Sequence, residues 1–139
     1  MKTYTDRERR LFRRGPLGVP AVERGDHWVV SGSKIFITNA GVGEIFVITA
    51  RTDRDPANRT AGITSFIVTK DTVDLDAARE LGVGHDPDLP KTPGVRAAKK
   101  EDKLGWRASD TRELVLEEAM VPTEHMLGER GRGYANFLK

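Results

Sequence analysis

The stretch that decides the fold is His27-Trp28-Val29-Val30-Ser31-Gly32-Ser33-Lys34-Ile35-Phe36-Ile37-Thr38. Runs rich in β-branched and aromatic side chains flank Ser31-Gly32 on both sides. Two such runs separated by a glycine-containing dipeptide are typical of a β-hairpin with a two-residue turn. We therefore predict a hairpin whose turn is Ser31-Gly32.

This hairpin register assigns the side chains to two faces, because Trp28 lies opposite Ile35 and His27 lies opposite Phe36. The predicted core face consists of Trp28, Val30, Ile35 and Ile37, and the other face consists of Val29, Lys34, Phe36 and Thr38. Phe36 on the outer face needs a partner. One alternative is a planar ligand stacked on the ring, with Thr38 as a hydrogen-bond donor to it. The other, which is the commoner arrangement, is a loop or domain packed over the ring.

The rest of the chain also favours strands. The predicted strands cover residues 45–50, 63–69, 95–99 and 112–121, and the first of them is apolar enough to be covered on both faces. Residues 74–81 have the pattern of one or two helical turns closed by Gly82, and three prolines mark residues 84–94 as a surface excursion. Residues 131–139 resemble the first turns of a helix. The pattern predicts a mainly β domain.

Composition excludes several classes of protein. The chain has 139 residues, no cysteine and a formal net charge of +2. Without cysteine there is no disulfide and no thiolate metal site. No apolar run reaches the ~20 residues that cross a bilayer, and the charged start is unlike a secretory signal. We expect a cytoplasmic protein without a membrane partner.

Three polar segments could bind ligands. The basic arm of residues 1–20 could bind phosphate groups of nucleic acid or of a coenzyme, but a solvated chain end is the commoner case, and we predict no nucleic-acid partner. His85-Asp86-Pro87-Asp88 has oxygen and nitrogen ligands without a second ligand cluster, so we predict no metal site. The glycine-rich segment 128–133 lacks the spacing of a nucleotide-binding fingerprint.

Five blocks of the sequence resemble, in the same order, the middle β-domain of flavin-dependent acyl-CoA dehydrogenases. The stretch from Gly25 to Ala40 is similar to that family's motif G-x-x-(aromatic)-x-(aliphatic)-N-G-x-K-x-(W/F)-I-T-N. The other blocks are residues 46–52, 62–68, 100–111 (KEDKLGWRASDT) and 121–128 (VPTEHMLG). Together they extend over roughly 110 residues, which makes chance convergence across all five very improbable.

The resemblance implies a small antiparallel β-barrel or two-sheet sandwich with a short C-terminal helix, placed between two helical domains. It implies that FAD is the cofactor. It further implies that Phe36 packs against the flavin ring, that the backbone of Ile37 lies along the ring, and that Thr38 hydrogen-bonds the flavin. In the loop after the third strand, the family's residue near the acyl-CoA phosphates corresponds to Arg59 or Thr60, and Thr60 is the substrate-binding candidate.

The reaction that the resemblance implies is α,β-dehydrogenation of an acyl-CoA thioester in fatty acid metabolism. Its implied partners are acyl-CoA and an electron-transfer flavoprotein, and its implied assembly is a homo-oligomer. No catalytic residue is assigned, because the family's proton-abstracting glutamate has no counterpart here. The family's T-E-P-x-A-G-S-D stretch, which holds the flavin and its pyrophosphate, has none either, so the FAD site in this chain is expected to be incomplete. We therefore expect the isolated chain to be inactive and to self-associate.

The predicted organisation is a basic arm at residues 1–20, the β-domain at residues 21–128 and the start of a helix at residues 129–139. Residues 73–91 have no counterpart in the family pattern and are expected to be an insertion that bulges from a barrel end. The alternative function, from a different class, is a stand-alone β-barrel that acts as a binding or interaction module without enzymatic activity.

Overall fold

The computed structural model describes residues 18–138, and it confirms the mainly β prediction. Antiparallel strands form two sheets, in the orders β1-β2-β6-β5 and β3-β4-β7. The elements are β1 (Ala21–Arg24), β2 (His27–Thr38), β3 (Ile45–Arg51), β4 (Ile63–Thr69), α1 (Leu75–Leu81), β5 (Val95–Lys100), β6 (Thr111–Pro122), β7 (Met126–Leu127) and α2 (Gly133–Asn136). Short 3-10 helices at Pro56–Gly62 and Thr123–His125 precede β4 and β7.

The predicted hairpin turn at Ser31-Gly32 is wrong, because β2 continues through both residues as one strand. The hairpin is instead formed by β1 and β2, which pair from Arg24 and His27 outward, with Gly25-Asp26 as its two-residue turn. Strand β6 pairs with β2 along almost its whole length. This long-range partner satisfies the backbone of β2 where a local turn was expected. Gly32 leaves room for the side chain of Val19, which is 3.1 Å from the place of a Cβ atom.

The core lies between the two sheets and draws on both. Trp28 of β2 packs against Phe66 of β4, with 5.5 Å between the ring centroids. The other members of the buried cluster are Val19, Ala21, Val30, Ile48, Ala50, Val68, Val95, Leu114, Leu116, Ala119 and Val121. Burial of such side chains is the main source of stability in a domain without disulfides or metal.

The predicted faces of β2 are confirmed for its first half and wrong for part of its second half. Trp28 and Val30 are buried as predicted, whereas Ile35 is 60% exposed. Because no turn reverses the chain, the inward row continues to Lys34, which lies opposite the buried Leu114 instead of on the outer face. A bulge between Lys34 and Ile37 then shifts the alternation by one residue, so that Ile37 packs against the core.

The remaining elements follow the predictions in type more than in detail. The prediction that β3 is covered on both faces is wrong, since Ile45 and Val47 are exposed at 58% and 48%. The helical turns before Gly82 are confirmed as α1, capped by the side chain of Asp74 and by left-handed Gly82.

Most of the basic arm lies outside the described residues, but Val19 belongs to the buried core. None of the helices in residues 18–138 has the length and apolar character needed to span a membrane.

Candidate functional site

The bulge in β2 presents Phe36 to solvent near the C-terminal end of that strand. Phe36 has a φ of 57° and is 68% exposed. A bulky residue in left-handed backbone is strained, and bulges near functional sites commonly re-aim a side chain. Phe36 is therefore on the outside, as predicted. The cause is the bulge in β2 and not the register of a hairpin.

Phe36 and Thr38 stand on the outside of β2, while Ile37 between them packs inward. Thr38 is exposed and pairs with Thr111 of β6. Its hydroxyl has no hydrogen-bond partner among residues 18–138. An aromatic ring and a free hydroxyl two residues apart can hold a planar heterocycle, the ring by stacking and the hydroxyl by donating to a ring heteroatom. This donor set fits one edge of a flavin.

A turn of residues 39–43 follows Thr38, and buried charged side chains hold it by hydrogen bonds. Asn39 begins the turn with a φ of 61°, and its N–H donates to the carbonyl oxygen of Asp110 at 2.7 Å. The N–H of Gly41 donates to Oδ2 of Asp110 at 2.6 Å. From the other side, Nζ of Lys70 donates to the carbonyl oxygens of Ala40 and Gly41, at 2.5 Å and 2.6 Å.

Arg112 extends this arrangement to the N-terminus of α1. Its Nε donates to Oδ1 of Asp110 at 2.8 Å, and its Nη2 donates to Oδ2 of Asp74 at 2.6 Å. The hydrogen bond from Arg112 holds the pKa of Asp74 below its usual value. We call Lys70, Asp74, Asp110 and Arg112 the turn network. Sequence reasoning missed this network, because its members are far apart in the chain.

The segment interpreted as an insertion, residues 73–91, is attached to the turn that follows Thr38 and to Glu44. The N–H of Asp74 donates to the carbonyl oxygen of Gly41 at 3.0 Å. Further along, Glu44 accepts a hydrogen bond from the N–H of Asp86 at 3.1 Å and lies 2.8 Å from Nδ1 of His85. Nζ of Lys91 is 3.8 Å from the same carboxylate. These contacts place the segment beside the turn that follows Thr38.

Arg59 and Thr60 lie at the opposite end of β3 from Thr38. Both are exposed in the 3-10 stretch Pro56–Gly62, and Arg59 departs from helical backbone there, with φ 15° and ψ −108°. Seven residues of β3 separate this stretch from the turn after Thr38, a span of roughly 20 Å at strand geometry. The structure therefore does not bring Thr60 together with Phe36, Ile37 and Thr38.

Metal-ligand atoms are dispersed over the part of the chain that is described. No group of three or more His, Cys, Asp or Glu residues within 18–138 is arranged to hold a metal ion. His27 contacts its neighbour Asp26, and His85 contacts Glu44. These are ordinary pairings of histidine with a carboxylate.

The family of this chain is shown by comparison with known proteins. Residues 17–119 match the family described as "Acyl-CoA dehydrogenase, middle domain". The short-chain specific acyl-CoA dehydrogenase of Clostridium acetobutylicum is 43% identical over 119 residues, which are 86% of this chain and 26% of that protein. The chain belongs to the acyl-CoA dehydrogenase family, of which it carries the middle domain. It spans about a quarter of the length of the curated relatives it matches.

Solved structures agree with this assignment. An acyl-CoA dehydrogenase from Geobacillus kaustophilus has a TM-score of 0.70 and 30% identity, over 88% of this chain and 27% of that one. Butyryl-CoA dehydrogenase from Megasphaera elsdenii has a TM-score of 0.65 and 37% identity, over 86% of this chain and 26% of that one. An acyl-CoA dehydrogenase from Bacillus anthracis, solved in complex with FAD, has a TM-score of 0.64 and 30% identity, over 86% of this chain and 17% of that one.

Proposed function

We propose that this domain supplies the flavin-contacting β-surface of an FAD-dependent acyl-CoA dehydrogenase. The observation that carries the proposal is the bulge in β2, which holds Phe36 outward in strained backbone beside Thr38, whose hydroxyl makes no hydrogen bond within residues 18–138. Strained backbone is concentrated at binding and active sites, and a strained, exposed aromatic ring therefore supports a role for Phe36 in binding. Phe36, the backbone of Ile37 and Thr38 form the proposed cofactor contact.

In this function the chain's own residues bind and orient the cofactor. FAD, when bound, supplies the capacity to accept a hydride from the substrate. The ring of Phe36 would pack against the flavin and exclude water from one side of it. The hydroxyl of Thr38 would donate a hydrogen bond to the flavin, a contact that stabilises negative charge on the acceptor. We assign no catalytic base to this chain.

The proposed substrate is an acyl-CoA thioester, which is long and anionic at one end. Thr60 and Arg59 are exposed at the far end of β3, with Arg54 nearby in the same loop. A ligand that reaches from the flavin contact to this loop spans roughly the length of β3, and its phosphates there meet cationic side chains. Thr60 remains our substrate-binding candidate on this basis.

The electron acceptor is proposed from the family resemblance, which implies an electron-transfer flavoprotein, and one solved structure similar to this chain has such a protein in its description. A solved structure described as the electron transferring flavoprotein of Acidaminococcus fermentans has a TM-score of 0.67 and 34% identity to this chain. We propose an electron-transfer flavoprotein as the partner and the cytoplasm as the location. The alternative of a binding module without enzymatic activity predicts no response of Phe36 and Thr38 to flavin, and the following experiment separates the two.

We expect FAD to perturb the backbone amide resonances of Phe36 to Asn39, and a Thr38→Val substitution to weaken this binding by about tenfold. The substitution keeps the size of the side chain and removes only the hydroxyl. The measurement is a titration of the isotope-labelled chain with FAD, followed by NMR. Thr72→Val, at another exposed threonine, is the matched control and keeps wild-type affinity. Unchanged resonances at Phe36 and Thr38 at millimolar FAD contradict the proposed function.

We also propose that the chain self-associates. Phe36, Ile35, Ile45 and Val47 are all about half exposed or more, and burial of apolar surface contributes roughly 25 cal/mol per Å². Sedimentation at several concentrations tests this, with Phe36→Ser expected to lower the association. Leu104→Ser, at a fully exposed leucine in the loop before β6, is the control. A wild-type chain that stays monomeric throughout refutes the expectation.

A further inference from the structure

Lys70 is a buried cation that the proposed chemistry does not use. It follows β4 directly, and its backbone N–H donates to the carbonyl oxygen of Glu44 at 2.9 Å. The residue is only 1% exposed, although lysine is among the residues most rarely found buried. Its ammonium lies 5.9 Å from the centre of the Phe46 ring. Two carbonyl oxygens and an aromatic face therefore replace the water that this ammonium loses on folding.

The two carbonyl acceptors of Lys70 belong to the turn that follows the proposed flavin contact. They are those of Ala40 and Gly41, and only Asn39 separates the first of them from Thr38. Asp110 holds two further groups of this turn. Its carbonyl oxygen accepts a hydrogen bond from the N–H of Asn39, and its carboxylate accepts one from the N–H of Gly41. The direction in which the chain leaves Thr38 is thus determined by one buried cation and one buried carboxylate.

We propose that Lys70 is a positioning residue for the flavin contact: its ammonium fixes the turn at Ala40 and Gly41 and thereby the orientation of Thr38. The part of this proposal that concerns flavin rests on the proposed function. The part that concerns the turn stands on the geometry of the hydrogen bonds alone.

The charge of Lys70 depends on groups from every element packed around it. Arg112 and Asp110 approach from the start of β6, Asp74 from the N-terminus of α1 and Glu44 from the residue before β3. Burial, with a further contribution from Arg112, lowers the pKa of Lys70 to about 8, while the three carboxylates raise it. Above that pH the amine is neutral, keeps two N–H groups, and makes weaker hydrogen bonds to the two carbonyl oxygens. The turn is therefore expected to loosen as the pH rises.

Global stability depends on the same titration with the opposite sign. The pKa of Lys70 in the folded protein, about 8, is below its ordinary value of 10.5. Between those two values the unfolded chain binds more protons than the folded one, so the contribution of Lys70 to the free energy of unfolding increases with pH. The loosening of the turn and the gain in the free energy of unfolding are thus opposite trends in the same pH range.

The test follows the amide resonances of Thr38 to Gly41 in the flavin-free chain between about pH 6 and about pH 10. In the wild type these amides titrate together, with a midpoint near pH 8. Lys70→Met removes the titration, and Lys70→Arg also removes it because a guanidinium stays charged. Lys91→Met, at another lysine near Glu44, leaves the titration in place. A wild type without this transition, or a Lys70→Met variant that keeps it, overturns the role in the turn.

A second measurement concerns flavin directly. We expect the wild-type affinity for FAD to fall about tenfold from pH 7 to pH 9, and Lys70→Met to bind weakly at both. If Lys70→Met fails to fold, the wild-type pH series and Lys70→Arg decide the question. FAD affinity that is equal in the wild type and in Lys70→Met overturns the positioning role. A wild type that does not bind FAD contradicts the proposed function, while the flavin-free spectra still test the turn.

Discussion

Replacement of Asp110 by alanine is expected to lower the free energy of unfolding by about 3–5 kcal/mol. The carboxylate is 1% exposed and accepts hydrogen bonds from Nε of Arg112 and from the N–H of Gly41. Its removal leaves a largely buried guanidinium without one of its two carboxylates and a buried N–H without an acceptor. Urea unfolding of the wild type and of Asp110→Ala measures the difference.

An exposed pair of the same chemistry provides the control. Nη2 of Arg96 lies 2.6 Å from Oε1 of Glu117, and the two side chains are 47% and 63% exposed. Because solvent screens such a pair, Glu117→Ala is expected to destabilise the protein far less than Asp110→Ala does. If the two substitutions have equal effects, the turn network contributes no more than a surface ion pair does, and its proposed role in holding the turn fails.

Replacement of Gly94 by alanine is the second large effect that we expect, at about 2–5 kcal/mol of destabilisation. Gly94 has a φ of 85°, which a residue with a Cβ atom adopts only with strain. A Cβ atom there also overlaps the carbonyl oxygen of Glu117 and lies 3.1 Å from Cα of Ala119. Both obstacles are backbone atoms of β6, which cannot rotate away as a side chain can.

Gly105→Ala is the matched control for this backbone substitution. Its φ lies outside the left-handed region, and nothing is within 4 Å of the position of the added Cβ atom. Thermal unfolding of both variants compares the two sites, with a change close to zero expected for Gly105→Ala. A Gly94→Ala variant as stable as the wild type shows that the junction of β5 and β6 is looser than described.

The strands were largely predictable, and the pairing between them was not. β4 was predicted to the residue, because Ile63–Thr69 has strong β-propensity and clear ends. The hairpin at Ser31-Gly32 failed because the same dipeptide suits a tight turn and a continuous strand, and the choice depends on β6, some eighty residues away. Local sequence carries no information about that partner.

The candidate site divides in the same way. Phe36 and Thr38 were placed on the outer face from the residue pattern and from the family resemblance, and both are exposed in the structure. The turn network could not be predicted, since it joins β4, α1 and β6 through side chains that each look like an ordinary surface charge in the sequence. A lysine directly after an apolar strand is normally solvated, and only the fold reveals that Lys70 is enclosed.

The left-handed backbone at Phe36 has an evolutionary consequence. Glycine adopts a φ of 57° without strain, and asparagine adopts it more easily than phenylalanine does. Selection for thermal stability alone therefore favours the loss of this aromatic ring, and only selection for what the ring contacts opposes it. With the proposed flavin contact, position 36 becomes a place where stability and binding are in conflict, and stabilised variants of this domain that still bind flavin are expected to keep the strained ring.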